Sequence, residues 1–155
     1  MAQSPAPGPR LFTVEEANAL VPLLEERLER FRRSGEELQA ARDELSVFRL
    51  VASSGSSEDN PDQKSLEKLE RRARRLAAAM ARIQHEILAA GCAPKSFANG
   101  LIDFFALKGD RLVFLCWKLG EAEVSHWHAL EGGYAGRRPI GTFLDDAPPD
   151  RAERG

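Results

Sequence analysis

The sequence predicts an α+β fold, a long antiparallel helical hairpin packed on a small antiparallel β-sheet of three strands. Three observations predict it. Apolar residues recur at helical spacing over Leu24, Leu28, Phe31, Leu38, Leu45 and Phe48, and in a heptad register over Leu66, Leu69, Ala73, Leu76, Met80, Ile83, Ile87 and Ala90, the pattern of a coiled-coil seam. The polar segment SSGSSEDNPDQ separates the two patterns, so the helices turn back on one another. Finally, GLIDFFAL and LVFLCW are short apolar runs bounded by turn formers, as buried strands are.

Taken in order, residues 1–11 are expected to form a disordered leader rich in Pro, Ala and Gly. A single domain over 12–141 follows, with the helical hairpin at 14–91, a flexible loop at 53–63, the sheet at 100–131, a Gly/Arg loop at 132–141 and a frayed tail at 142–155. Helix one opens with a capping box, Thr13 as N-cap and Glu16 three residues on, with Phe12 before it. Pro22 removes a helical hydrogen bond and is expected to kink the helix or split off its first turns. Helix two starts near Lys64 or Ser65 and ends at Gly91, the C′ residue, with Pro94 preventing continuation.

The first strand, Gly100 to Leu107, turns at Lys108, Gly109 and Asp110 into the second, Leu112 to Trp117. A tight turn at Gly120 leads to a third over Glu123 to Leu130. Counting outward from a turn centred between Gly120 and Glu121 sets Lys118 opposite Glu123, Cys116 opposite Ser125 and Phe114 opposite Trp127. Val113, Leu115, Trp117, Val124, His126 and His128 then share one face, and Leu112, Phe114, Cys116, Ser125 and Trp127 the other. Both faces read as largely apolar. Helices can cover one, and a second copy of the chain is expected to cover the other, giving a homodimer.

Composition narrows the function classes. A formal net charge of -2, with 43% hydrophobic and 30% charged residues, argues against a dedicated nucleic-acid binder. Two cysteines, Cys92 and Cys116, make no disulfide framework. The N-terminus has no apolar run and no segment is long enough to span a bilayer, so a cytoplasmic protein with no membrane partner is expected.

The stretch from Leu112 to Arg137 concentrates the chemistry, with both tryptophans, the only tyrosine, and His126 and His128 at an H-x-H spacing. Two histidines on one side of a strand suit one zinc or iron ion, although a third ligand is not obvious and Cys116 falls on the opposite face. The bland alternative packs one ring at an interface and bonds the other within the sheet. Cys116 as a thiol nucleophile needs an adjacent base, whereas between Leu115 and Trp117 it reads as a small hydrophobe. Gly132, Gly133, Tyr134, Gly136, Arg137 and Arg138 form a loop that could grip an anion, though it lacks P-loop spacing. A structural role for Arg137, bound to Asp103 or Glu131, is the competing reading. The run Arg71, Arg72, Arg74 and Arg75 follows Glu67 and Glu70 at i,i+4 spacing and reads as a solvated helix face.

The words FTVEEANALVPLL, GLIDFFAL and CWKLGEAEVSHWHALEGGYAGRRPI resemble the bacterial domain-of-unknown-function family 2203, from Phe12 to Ile140 apart from the interhelical loop. The resemblance implies no established activity. It does imply that Cys116, Trp117, Gly120, Glu121, Trp127, His128, Gly133, Gly136 and Arg137 belong to the family pattern, whereas His126 stands where an aromatic residue is common. That favours His128 and Arg137 over the histidine pair as a shared site.

The leading expectation is thus a non-enzymatic, oligomeric interaction or small-ligand-binding module. Trp127, His128, Tyr134, Arg137 and Cys116 line its pocket, a small anionic ligand fits it, and no cofactor is required. The rival is a metal-dependent enzyme or metal-binding protein holding zinc or iron through His126 and His128, with Glu131 or a cysteine. A third reading is a helical scaffold that binds partner helices along its seam.

Overall fold

The computed structural model describes residues 10–52 and 61–144, so the expected leader before Arg10, most of the loop and the tail beyond Leu144 lie outside the described residues. Two long helices, α1 (Val14–Ala52) and α2 (Pro61–Ala89), precede β1 (Ala93–Ser96), β2 (Leu101–Lys108), β3 (Arg111–Lys118), β4 (His126–Ala129), β5 (Arg138–Pro139) and a short α3 (Ile140–Leu144). The strands form one antiparallel meander in the order β1-β2-β3-β4-β5, so the sheet has five strands where three are expected. The extra two, β1 and β5, are short edge strands containing Pro94 and Pro139, too brief to carry a period-two signal. The chain divides into two compact units, Met1–Glu26 with Ile87–Gly155, and Arg27–Glu86.

The second unit is a pair of antiparallel helical segments. Arg27 meets Glu86 at 2.6 Å, Arg72 meets Glu37 at 3.9 Å and Arg49 meets Glu70 at 3.8 Å, so residues early in one segment face residues late in the other. Leu28, Phe31, Leu38, Leu45 and Ile83 are buried, while Leu66, Leu69, Ala73, Leu76 and Met80 are half-buried on the expected stripe. Arg71, Arg72, Arg74 and Arg75 are all exposed, and the ion pair of Glu70 reaches across to Arg49. Helix α2 begins at Pro61, earlier than expected, because proline's missing N–H costs nothing in a first turn.

In the first unit α1 opens as the capping box requires: Glu16 N donates to Thr13 Oγ1 and Thr13 N donates to Glu16 Oε1, both at 3.1 Å. The expected break at Pro22 does not occur, since α1 is continuous. One lost hydrogen bond is outweighed by the burial of Ala17, Val21 and Leu24 on either side of it. Gly91 ends α2 at φ 93°, as expected of a C′ glycine. Residues 10 and 11, expected within the leader, are held to the fold: Leu11 bridges Phe105 in parallel and Arg10 donates to Ala90 O at 3.0 Å. At the other end, residues 142–144, expected in a frayed tail, belong to α3, and the Phe143 ring lies 6.2 Å from the Trp127 ring.

The principal correction concerns the register of β3 with β4. Phe114 pairs with His128, Leu115 with Trp127 and Cys116 with His126, a slip of one residue from the expected pairing. Glu121 causes it. Its Oε1 accepts from Lys118 N at 2.7 Å, its Oε2 accepts from the Ser125 hydroxyl at 2.6 Å, and its carbonyl accepts from Trp117 Nε1 at 3.0 Å. Glu121 thereby takes Lys118 N, a donor that a tight ladder would use, and the connection widens. Val124 N is satisfied instead by Asn18 Oδ1 of α1, at 2.7 Å.

Because side chains alternate, a slip of one residue moves every β4 side chain to the other face. One face now carries Ile102, Phe104, Ala106, Val113, Leu115, Trp117 and Trp127, all buried, with Phe12 edge-on to Phe104 at 5.1 Å. The opposite face carries Asp103, Phe114, Cys116, His126 and His128, neither wholly apolar nor bare. Within this single chain Asp103, Phe114, Cys116 and His128 are buried, while Phe105, Leu112 and His126 on the same face are half-buried and Leu107 is exposed.

Candidate functional site

The site sits at the middle of that second face. In the ladder Asp103 pairs with Cys116, Cys116 with His126, and Phe114 with His128, which sets Asp103, Cys116 and His128 on three adjacent strands. One ligand-type atom from each lies within 4.8 Å of the other two. All three are buried, at 1%, 1% and 2% exposure.

His128 Nδ1 lies 2.8 Å from the Ala129 carbonyl, which can only accept, so that nitrogen carries a proton. Nε2 lies 3.0 Å from Asp103 Oδ2, and one proton serves that contact, on the ring or on the carboxyl. Burial pushes the Asp103 carboxyl above its ordinary value, opposed by His128, by the Cys116 thiol and by the charge of Lys95. Burial and the facing Asp103 push the Cys116 thiol up to about 12. A thiol held so firmly is no nucleophile at neutral pH, and His128, engaged on both nitrogens, offers it no base.

A second polar group adjoins the first. Gly133, at φ 57°, turns the chain into a single 3₁₀ turn over Tyr134–Gly136, and β5 then lays Pro139 beside His126. Arg137 Nη2 donates to Glu121 Oε2 at 3.1 Å and Oε1 at 3.2 Å, and to His126 Nδ1 at 2.7 Å. Its guanidinium lies 4.6 Å from the centre of the Tyr134 ring. Although burial raises the Glu121 carboxyl, the Ser125 hydroxyl, the Lys118 N–H and Arg137 together bring it below its ordinary value. The charge of Arg137 also bears on Cys116, which links the two groups. Among the described residues, two buried side-chain polar atoms have no hydrogen-bond partner, Asp103 Oδ1 and Arg137 Nε, and both belong here.

The expected site residues are therefore regrouped. Cys116 and His128 come together, Arg137 and Tyr134 lie beside them, and Trp127 is removed to the opposite face, where its Nε1 donates to Thr142 Oγ1 at 2.7 Å. The histidine pair does not form one ligand set: His126 is engaged by Arg137 and Ser125, while the group around His128 contains Cys116 and Asp103. Arg137 does bind a carboxylate, but of Glu121 rather than Asp103 or Glu131. Sequence reasoning overlooked Asp103 as a site residue. Its signal was the lone charge inside the apolar run LIDFFAL.

A helix pair and a five-stranded antiparallel meander with a buried Asp–Cys–His centre define an α+β protein with a polar cluster set into one sheet face. Residues 10–140 match the family described as "Uncharacterized conserved protein (DUF2203)", and the chain belongs to that family. No curated protein and no solved structure matches it. Among the described residues no helix is long and apolar enough to cross a membrane.

Proposed function

We propose that this protein is a small-ligand-binding module without catalytic activity, its site the polar cluster around Asp103, Cys116, His128 and Arg137. One observation carries the reading. Asp103 Oδ1 and Arg137 Nε, opposite in polarity, are both buried without partners, one in each of two polar groups linked by the charge of Arg137 on Cys116. Leaving a buried polar atom unpaired costs about 1–3 kcal/mol, and a folded chain retains two of them in adjoining groups most readily where a ligand completes them. Such a ligand is small and polar, offering a donor or a cation to Asp103 and an acceptor to Arg137. The Cys116 thiol, held protonated by burial, and the fully engaged His128 favour binding over nucleophilic chemistry.

Native mass spectrometry of protein purified without metal-affinity columns tests the reading. Wild type is expected to carry a mass excess that disappears on denaturation and is reduced in Arg137→Gln. A bare mass, together with no thermal shift from simple carboxylates, phosphate or divalent ions, sinks it.

A further inference from the structure

We infer that Asp103, Cys116 and His128 form a site for one divalent transition-metal ion of borderline softness, with zinc as the best fit. The inference rests on the binding reading above and names its ligand. Four features carry it. The donor set of one carboxylate, one thiol and one imidazole is the mixed O, S, N chemistry that zinc accepts.

The geometry is close: ligand atoms around a tetrahedral zinc lie roughly 3.3–3.7 Å apart, given zinc–ligand bonds of about 2.0–2.3 Å. Here Nε2 and Oδ2 are 3.0 Å apart and all three ligand atoms fall within 4.8 Å of one another. Shifts of under about an ångström suffice, judged against those bond lengths.

The third feature is the outer contact of His128. A metal-ligating histidine characteristically donates its other ring N–H to a backbone carbonyl or carboxylate, which fixes the tautomer and aims the free nitrogen. His128 makes that contact with Ala129 O at 2.8 Å and presents Nε2 to the cluster. The fourth is Asp103 itself, whose side chain is 2% exposed and whose Oδ1 has no partner, leaving an acceptor unused in the protein interior.

Coordination replaces two protons, the thiol's and the one shared by Asp103 and His128. A divalent ion then leaves the net charge of the cluster unchanged. Three protein ligands leave a fourth position for water or a small anion, the arrangement of metal sites that bind exogenous molecules.

Cobalt(II) titration of chelator-treated protein is the test, read by the thiolate-to-cobalt charge-transfer absorbance and followed by competition with zinc. Wild type is expected to bind one equivalent with that band. Cys116→Ser should abolish the band and His126→Ala should leave it in place. Asp103→Asn keeps a donor for Nε2 and so preserves the fold, yet should weaken binding roughly tenfold or more. Gel filtration and far-ultraviolet ellipticity restrict each comparison to folded protein.

Wild type that binds neither cobalt nor zinc at micromolar concentration overturns the inference, as does a band that survives Cys116→Ser. Where metal binding fails and an organic adduct persists in native mass spectra, the ligand-binding reading stands and the metal assignment falls. Absence of both removes both.

Discussion

The two faces of the sheet are chemically opposite and unevenly hidden from water, one buried along its length and the other only at its centre. On one, Ile102, Phe104, Ala106, Leu115 and Trp117 are fully buried and offer the solvent-averse surface expected of a core. On the other, Asp103, Cys116 and His128 are just as deep, at 1–2% exposure. The first face is stabilised by removing hydrocarbon from water, and it best tolerates apolar occupants of similar volume. The second depends on the pairing of its polar atoms, and Asp103 Oδ1 there has no partner. Burial identifies where a residue sits; the pairing of its polar atoms identifies what it is for.

Paired substitutions break this comparison most directly. Phe104→Ala should cost about 3–5 kcal/mol through lost transfer energy and the cavity left behind. Asp103→Ala should cost about as much for a different reason, because it strands the His128 ring without its carboxylate. Asp103→Asn, which can still donate to Nε2, should cost only about 1–2 kcal/mol. Urea unfolding of the three variants decides. Equal losses for Asp103→Ala and Asp103→Asn would mean that the Asp103–His128 contact does not stabilise the fold.

Next in size is Gly100→Ala. Gly100 has φ 64°, and a Cβ there would lie 2.5 Å from Leu119 Cβ, at the point where Leu119 N donates to Gly100 O at 2.8 Å. Left-handed backbone alone costs an alanine about 1–2 kcal/mol and the collision adds to it. Thermal denaturation should show a clear drop in midpoint, whereas alanine at Gly109, whose added Cβ meets nothing within 4 Å, should show only the backbone part.

Glu121→Gln sharpens the comparison at the polar end and should cost about 1.5–3 kcal/mol, since charge-assisted bonds to Ser125, Lys118 N and Arg137 are weakened. Its folded-state carboxyl is lowered below the ordinary 4.5, so its stabilisation is complete above that value and is lost as pH falls through the lower one. Wild type should therefore lose stability on acidification below pH ~4.5 more steeply than the variant.

The last effect appears only in alkali. Burial lifts the Cys92 thiol from 9.0 to about 11, and its Sγ donates to Ile87 O at 3.2 Å. The raised value makes stability complete below pH 9 and lost upward from there, by about 1.4 kcal/mol per pH unit for this thiol until its folded value is reached. Urea midpoints from pH 8 to 11 for wild type and Cys92→Ala should diverge with that slope.

Much of the fold could be read from the residues because it rests on local rules. The Thr13–Glu16 box, the stripe from Leu28 to Leu45, the Gly91 stop and the β2–β3 hairpin around Gly109 each depend on residues a few places apart. The site was not legible because it depends on register, and a run that is apolar at every position, as LVFLCW is, does not distinguish registers one place apart. What decides between the two registers is the Glu121 side chain folding back on Lys118 N, a contact that composition does not announce. Once Cys116 is set opposite His126, the position of Asp103 in LIDFFAL becomes meaningful and the H-x-H pairing loses its appeal.

Both indoles, Trp117 and Trp127, belong to the unit built on the strands, and the segment Arg27–Glu86 has none. Intrinsic emission during denaturation therefore watches one half of the molecule, while ellipticity at helical wavelengths is weighted toward the other. Superimposable melts from the two signals would mark a single cooperative block; separated ones would show the paired helices and the strands letting go independently.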